Sequence, residues 1–138
     1  MASFIYNEFK ADLMGGAVDL DTSGDTIRVA LMGTGHSASA AANVNWTSVS
    51  ANELANGSGY TTGGATLAGQ AVTEAATTAW DGTDTAWTSA TFSAYYAVIY
   101  DTTNTNSLIA SIDFGGVQTV SSGTFTIQWH SNGIITLA

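Results

Sequence analysis

The first apolar residues of the chain recur at the period of an α-helix. Ile5, Phe9 and Leu13 lie at positions i, i+4 and i+8, which places them on one helical face. Ser3 precedes them as a candidate N-cap, and two glycines follow them as a left-handed stop. The pattern predicts a helix at about residues 4–14. Its apolar face either caps an open end of the fold or docks on a neighbouring subunit.

After this helix the apolar period changes to two, which is typical of β-strands. A half-buried strand is predicted at Ile27–Met32, entered through the acidic turn Asp19–Asp25. Ala94–Tyr100 is apolar on both faces, as expected of a central strand. Further strands are predicted at Gln70–Trp80, Thr85–Phe92, Leu108–Phe114, Thr124–Trp129 and Ile134–Leu137.

The order of these segments indicates the fold class. Residues 34–69 are rich in Gly, Ser, Ala and Asn and predict a long surface excursion with short strands near Asn45–Ser48 and Ala65–Leu67. Asn132-Gly133 predicts a tight hairpin between the last two strands. About eight strands at short intervals favour an all-β, two-sheet sandwich or jelly roll. We expect residues 1–138 to form one such domain with one N-terminal α-helix.

The charge distribution is unusual for a free soluble domain. Lys10 and Arg28 are the only basic residues against eleven acids, the net charge is −9, and 9% of residues are charged, whereas roughly 25–35% is usual on a soluble surface. The chain also lacks proline, so the residues that normally protect sheet edges are scarce. We therefore expect a symmetric homo-oligomer, a trimer, that covers its edges. The net charge argues against nucleic-acid binding.

Composition and short motifs also limit the kinds of membrane association, metal site and cofactor site that the chain could have. No apolar run approaches the length of a membrane span and no signal peptide is evident, so we expect synthesis in the cytoplasm and no membrane association. Asp19-x-Asp21-x-Ser23-Gly24 resembles half of a calcium loop, but Ala30 stands where a glutamate is needed. The glycines of residues 57–64 lack the lysine of a phosphate loop. We expect no metal and no cofactor.

Catalytic residue patterns are equally sparse. His36 lies in a small-residue loop and His130 at a strand end, with no sequence signal that joins either to a nucleophile. Asp81 and Asp84 flank one turn, where acidic residues are common without catalysis. The sequence predicts that the protein is not an enzyme.

The aromatic residues offer two interpretations. Trp46, with Asn43 and Asn45 beside it, could form a sugar-binding platform or anchor a subunit interface. Trp46 and Tyr60 both belong to the 34–69 excursion. The candidate partner contacts are therefore Ile5, Phe9, Leu13, Trp46 and Tyr60.

Several runs across nearly the whole chain resemble a family of small virion structural proteins of tailed bacteriophages. These runs are Phe4-Ile-Tyr-Asn-Glu-Phe-Lys10, Asp25-Thr-Ile-Arg-Val-Ala-Leu31, Gly59-Tyr-Thr-Thr-Gly-Gly64, Ala97-Val-Ile-Tyr-Asp101 and Ile112-Asp-Phe-Gly-Gly116. The resemblance implies a location in the virion and carries no catalytic residues.

Within a virion, a capsid decoration or cement protein fits the sequence best. Such a protein would bind the major capsid protein or other virion proteins and stabilise capsomer junctions through many repeated contacts. A strongly acidic chain is expected on the outer capsid surface, away from packaged DNA. The alternatives are a tail tube or fibre component and a carbohydrate-binding β-sandwich module for host adhesion.

Overall fold

Two antiparallel sheets and one helix make up the fold. The computed structural model describes residues 2–138. The large sheet has the strand order β1-β7-β6-β2-β3, and the small sheet has the order β4-β5-β8. The elements are β1 (Phe4–Ile5), α1 (Asn7–Gly15), β2 (Ile27–Met32), β3 (Ala65–Thr66), β4 (Ala71–Thr73), β5 (Thr78–Asp81), β6 (Thr85–Asp101), β7 (Ser107–Ile127) and β8 (Ile135–Leu137), with 3₁₀ turns at Trp46–Ser48 and Ser50–Asn52. This architecture confirms the predicted all-β sandwich with one N-terminal helix.

The helix begins later than its apolar period predicted. Phe4 and Ile5 pair with Ser111 and Ala110 as β1, so their backbone is extended rather than helical. The prediction that Ser3 caps the helix was wrong, because its hydroxyl accepts the Asp113 N–H at 2.9 Å instead. The glycine stop is confirmed, since the residue after the helix has the left-handed φ of 73°. Pairing with a distant strand has overridden the local helical pattern.

The centre of the large sheet, at β2 and the adjoining parts of β6 and β7, is buried on both faces. Ile27, Val29 and Leu31 of β2 pack into a core with Phe9 and Trp80. The intervening Ala30 and Met32 pack into a second core, which also contains Tyr6, Val98 and Leu108. The half-buried state predicted for β2 was therefore wrong, whereas the central position predicted for Ala94–Tyr100 is confirmed.

The second core is covered by the 34–69 excursion. Val49 is buried in it, and Ala38 and Trp46 pack against its margin. The strand predicted at Asn45–Ser48 is a 3₁₀ turn, held by a hydrogen bond from Trp46 N–H to the Asn106 carbonyl at 2.8 Å. The short strand predicted near Ala65 is present as β3. The excursion therefore packs over the sheet and does not project from it as an arm.

The strand boundaries in the C-terminal half differ from the prediction. The segments predicted separately around Phe92 form one continuous strand, β6, and β7 likewise joins two predicted strands. Bulges interrupt their pairing, and Ser89 and Ser122 adopt positive φ angles of 49° in this hairpin. A bulge bends a strand without ending it, so breaks in the apolar period did not mark strand ends.

The predicted Gln70–Trp80 strand is a hairpin of two short strands, β4 and β5. The turn at Asn132-Gly133 forms as expected, but β8 pairs with β5 rather than β7. The hydrogen bond from Ile134 N–H to the Trp80 carbonyl, at 2.7 Å, begins this pairing. The chain therefore crosses to the small sheet at this turn.

Candidate functional site

An apolar furrow runs along the open side of the sandwich, between edge strand β1 of the large sheet and edge strand β8 of the small sheet. Its three adjoining sections have volumes of about 520, 290 and 500 Å³ and share residues where they meet. The apolar lining comprises Phe9, Leu13, Val72, Trp80 and Leu137 at the helix end, Ile5, Ile99, Ala110 and Ile135 in the middle, and Ile112, Phe114, Phe125, Trp129 and Ile134 at the far end.

The furrow is open because neither bordering strand has an outer neighbour. Within residues 2–138, β1 pairs only with β7, and β8 pairs only with β5. An unpaired strand edge presents N–H and C=O groups that can pair with another chain. Neither edge carries lysine or proline, and Thr136 is the polar residue between Ile135 and Leu137. The edges flanking the furrow therefore lack the usual protection against association.

The helix end of the furrow exposes the most apolar surface. Phe9 and Trp80 are buried at its base, whereas Leu13, Val72 and Leu137 are 41%, 41% and 63% exposed. Met14, at the end of α1, is 90% exposed. Exposed apolar side chains grouped around one hollow are characteristic of interaction sites.

Few charges surround this apolar surface. Lys10 lies at the rim, where its ammonium donates a hydrogen bond to Asn7 Oδ1 at 3.1 Å. The rim carboxylates of Asp19 and Asp21 accept backbone N–H groups of their own turn, at 3.0 and 2.8 Å. Charged side chains therefore mark one border of the furrow and leave its floor apolar.

The structure brings together three of the five predicted contact residues. Ile5, Phe9 and Leu13 all line the furrow. Leu13 is the exposed member, Ile5 is half-buried, and Phe9 belongs to the core of the single chain. Phe9 and Leu13 lie on α1 and Ile5 lies on β1, so the helical period accounts for only two of the three residues. That they contact a partner stays a prediction.

Trp46 lies on the other face of the large sheet. Its indole stacks on the Tyr100 ring with centroids 4.5 Å apart and planes 7° apart. The neighbouring amides serve their own loop: Asn43 Oδ1 accepts Ser39 N–H at 2.6 Å, and Asn45 Oδ1 accepts the Thr47 hydroxyl at 2.6 Å. One ring face and both amide oxygens of a sugar platform are thus already engaged.

Tyr60 is a core residue in this structure, with 2% of its surface exposed. Its hydroxyl accepts Leu31 N–H at 3.1 Å and donates to Glu53 Oε1 at 2.7 Å. Its ring contacts Trp87 and Phe92. These contacts fasten the excursion to the sheet, so we remove Tyr60 from the candidate contact surface.

Two exposed furrow residues, Val72 and Leu137, were not among the predicted contacts. Each is an apolar residue in a short strand flanked by threonine or alanine. No local pattern marked these positions, because β4 and β8 become the edges of the small sheet only through the tertiary fold. Their proximity to Leu13 depends on the crossing of the chain at Asn132-Gly133, which no local pattern predicted.

The two histidines lie in different environments. His36 is buried, with its Nε2 3.1 Å from the Ser111 hydroxyl, and burial lowers its pKa. Ser111 is also buried, so this Ser–His contact has no access for a substrate. His130 is exposed, and its Nδ1 accepts Asn132 N–H at 3.0 Å.

The half calcium loop forms a turn closed on itself. Asp25 N–H donates to the Asp19 carbonyl at 2.7 Å, and Asp19 N–H donates to Asp25 Oδ2 at 2.9 Å. Residues 2–138 contain no group of three or more His, Cys, Asp or Glu side chains placed to hold a metal ion. The same part of the chain has no helix with the length and apolarity needed to cross a membrane.

Comparison of the chain with protein-family models, with curated proteins and with solved structures finds no match.

Proposed function

We propose that the protein is a structural subunit of a tailed-bacteriophage virion that decorates the outer surface of the capsid as a homotrimer. The observation that carries the proposal is the open apolar furrow, flanked by two free strand edges, in a chain with only two basic residues. The sequence resemblance to small virion structural proteins supplies the location. The furrow is the contact between copies, and the assembled trimer binds the major capsid protein.

The geometry of the furrow suits a subunit contact better than a small-molecule site. It is long and shallow, its floor is apolar, and its few rim charges are bonded within the chain. Small-molecule sites usually add a few converging polar groups that orient the ligand. Burying Leu13, Val72 and Leu137 against a neighbour would remove the most exposed part of this apolar surface from water.

A three-fold arrangement is compatible with one furrow per chain. In a cyclic trimer each subunit contacts its neighbour through two different patches. The furrow of one copy would receive another surface of the next, and every furrow would be filled. Repeated contacts with a capsid would then convert modest affinity into stable attachment.

The net charge supports a location on the outer surface of the capsid. A net charge of −9 opposes contact with the phosphates of packaged DNA. A tail tube or fibre role would use the same apolar contacts and differs in location and copy number. The sugar-binding alternative receives less support, because Trp46 stacks on Tyr100 and the amides beside it are bonded locally.

The proposal is tested by measuring the mass of the assembly with light scattering. We expect a trimer for the natural chain and a folded monomer for Leu13→Asp combined with Leu137→Asp, because two carboxylates would be buried in the contact. Val44→Asp is the matched control, since Val44 is 45% exposed and lies outside the furrow.

A monomeric natural chain at micromolar concentration would refute the trimer. An unchanged assembly in the double variant would exclude the furrow as its contact. Mass spectrometry of purified virions then tests the location: hundreds of copies support a head or tail-tube role, whereas a handful would contradict decoration.

A further inference from the structure

Two asparagines of the chain, Asn56 and Asn132, are each followed directly by glycine. At such a position the backbone nitrogen of the glycine can attack the side-chain amide carbon of the asparagine, because glycine has no Cβ to block the approach. The product is a cyclic succinimide, which water opens to aspartate or isoaspartate. Asparagine is accordingly among the thermolabile residues. Which of the two positions reacts depends on how firmly the fold holds each one.

The side-chain amide of Asn132 is exposed and unrestrained. The backbone N–H of Asn132 donates to His130 Nδ1 at 3.0 Å, but no hydrogen bond within residues 2–138 engages its Oδ1 or Nδ2. The Gly133 N–H donates to the His130 carbonyl at 2.9 Å. One backbone hydrogen bond at the surface therefore has to open before the Gly133 nitrogen can attack, and the amide can turn toward it freely.

Asn56 is also exposed, but both its amide and its turn are held. Its Oδ1 accepts the Thr62 N–H at 3.1 Å. Gly57 and Tyr60 exchange two backbone hydrogen bonds, of 2.8 and 3.0 Å, and Tyr60 is buried in the core. Attack at Asn56 therefore requires the loss of the amide bond to Thr62 and the opening of a bridge that is anchored in the core.

Packing requires the glycine that follows Asn132. Gly133 has a φ of 110°, which side chains rarely allow, and a Cβ at this position would lie 2.9 Å from the Trp80 carbonyl oxygen and 3.2 Å from Ala79 Cβ. The next residue, Ile134, donates its N–H to the same Trp80 carbonyl at 2.7 Å. The close approach of this turn to β5 therefore keeps a glycine, with the reactivity it confers, after an unrestrained asparagine.

We propose that Asn132 is a site of spontaneous deamidation, so that modified copies of the protein accumulate with time. The Gly133 nitrogen loses its proton and forms a bond to Asn132 Cγ, and the side-chain nitrogen leaves with that proton as ammonia. Water then adds to one of the two ring carbonyls, the ring C–N bond breaks, and aspartate or isoaspartate results. Water is the only co-reactant. This inference does not depend on the proposed function.

Both products alter the far end of the furrow. Gly133 and Ile134 line that end, and none of the described residues in its lining is Asp, Glu, Lys or Arg. Either product adds a negative charge directly before Gly133. Isoaspartate also adds one carbon atom to the backbone, between the turn bond to His130 and the bond from Ile134 to Trp80. Since the pairing of β8 with β5 begins at the latter bond, isoaspartate should weaken the attachment of β8.

The first test follows deamidation of the folded natural chain during incubation at mildly alkaline pH. Peptide mapping by mass spectrometry measures the conversion of amide to carboxyl at each asparagine, and isoaspartyl methyltransferase measures isoaspartate. We expect Asn132 to react at least about ten times faster than Asn56, because a tenfold difference in rate corresponds to about 1.4 kcal/mol, the order of one or two net hydrogen bonds. Equal rates, or a faster reaction at Asn56, would overturn the proposal.

Unfolding in urea provides the control for the local sequence. Both asparagines precede glycine, so their rates should become similar once the hydrogen bonds of the fold are lost. A preference for Asn132 that is just as large in urea would contradict the structural explanation, since the flanking residues alone would then account for it.

The second test compares the thermal unfolding of fresh and aged protein. We expect the Tm of the natural chain to fall on ageing and that of Asn132→Gln to stay constant, because the longer side chain forms the cyclic intermediate much more slowly. Asn56→Gln is the matched control and should age like the natural chain. Fresh Asn132→Asp shows how much of the loss comes from the charge alone. Equal ageing of the natural chain and Asn132→Gln would refute Asn132 as the site.

Discussion

The two faces of the large sheet are covered in different ways. One face is closed by the first part of the 34–69 excursion, where Trp46 stacks on Tyr100 and donates its backbone N–H to the Asn106 carbonyl in the turn between β6 and β7. The other face is covered by α1, by the small sheet and by Tyr60 and Leu67 from the second part of the excursion, and here the furrow stays open between β1 and β8. The irregular segment thus completes its side of the sandwich, while the regular strands do not. In this fold, regular strands border the exposed apolar surface, whereas an irregular segment covers the opposite side of the sheet.

Truncation of a buried side chain on the closed face should have the largest effect on the stability of the single chain. Leu108 is fully buried in the second core, and we expect Leu108→Ala to lower the free energy of unfolding by about 3 kcal/mol, since it leaves a cavity. Leu137→Ala on the open side should cost about 1 kcal/mol or less. Urea denaturation at a concentration where the chain is monomeric measures both.

Equal losses in those two variants would mean that the open side is as well packed in solution as the closed side. The distinction between the faces would then be wrong.

Replacement of Trp46 should have the next smaller effect on folding stability. Trp46→Ala should cost about 2 kcal/mol of folding free energy, because a half-buried indole stacked on Tyr100 is lost. Its oligomeric state should be unchanged, and Trp46→Phe should lose about half as much stability. Denaturation and light scattering on the same samples separate the two effects. Unchanged folding stability with weakened association would instead restore Trp46 as an interface anchor.

The smallest predicted effect is the change in folding stability with pH that results from protonation of His36 on the closed face. Burial lowers the pKa of His36, so protonation favours the unfolded state and stability falls as the pH drops below about 6.5. One proton changes stability by at most about 1.4 kcal/mol per pH unit. The loss should be absent in His36→Gln, so the difference between the two unfolding curves isolates this group from the other titrating side chains. A constant difference from pH 7 to pH 5 would show that the pKa of His36 is the same in the folded and the unfolded chain, which would contradict a pKa lowered by burial.

Local patterns predicted the central strands well. Ile27–Met32, whose single polar residue is Arg28, and Ala94–Tyr100 combine apolar character with strong strand propensity, and both are strands in the structure. Burial on both faces reinforces that propensity. The start of the helix was wrong because Phe4 and Ile5 gain more from pairing with β7 than from one further helical turn.

The candidate site could be predicted only in part. Helical spacing accounts for Phe9 and Leu13 on one side of α1, since that relation is local, whereas Ile5 reaches the same furrow through the pairing of β1 with β7. The opposite wall of the furrow forms only because β8 pairs with β5. The Asn132-Gly133 turn predicts that the chain reverses direction there, but it does not predict which strand β8 pairs with. Tyr60 was misassigned because a tyrosine in a glycine-rich segment gives no local sign that its hydroxyl will reach Leu31 and Glu53.

The pairing of β1 with β7 has a consequence for the order of folding. Phe4 and Ile5 lie near the start of the described chain, whereas their partners Ala110 and Ser111 are among the later residues to be synthesised. Contacts between such distant segments form slowly. While the ribosome is still producing β7, the first strand has no neighbour and its apolar residues are open to other nascent chains. For a chain whose edges are so weakly protected, crowding on one messenger RNA would favour contacts between copies before each copy is complete.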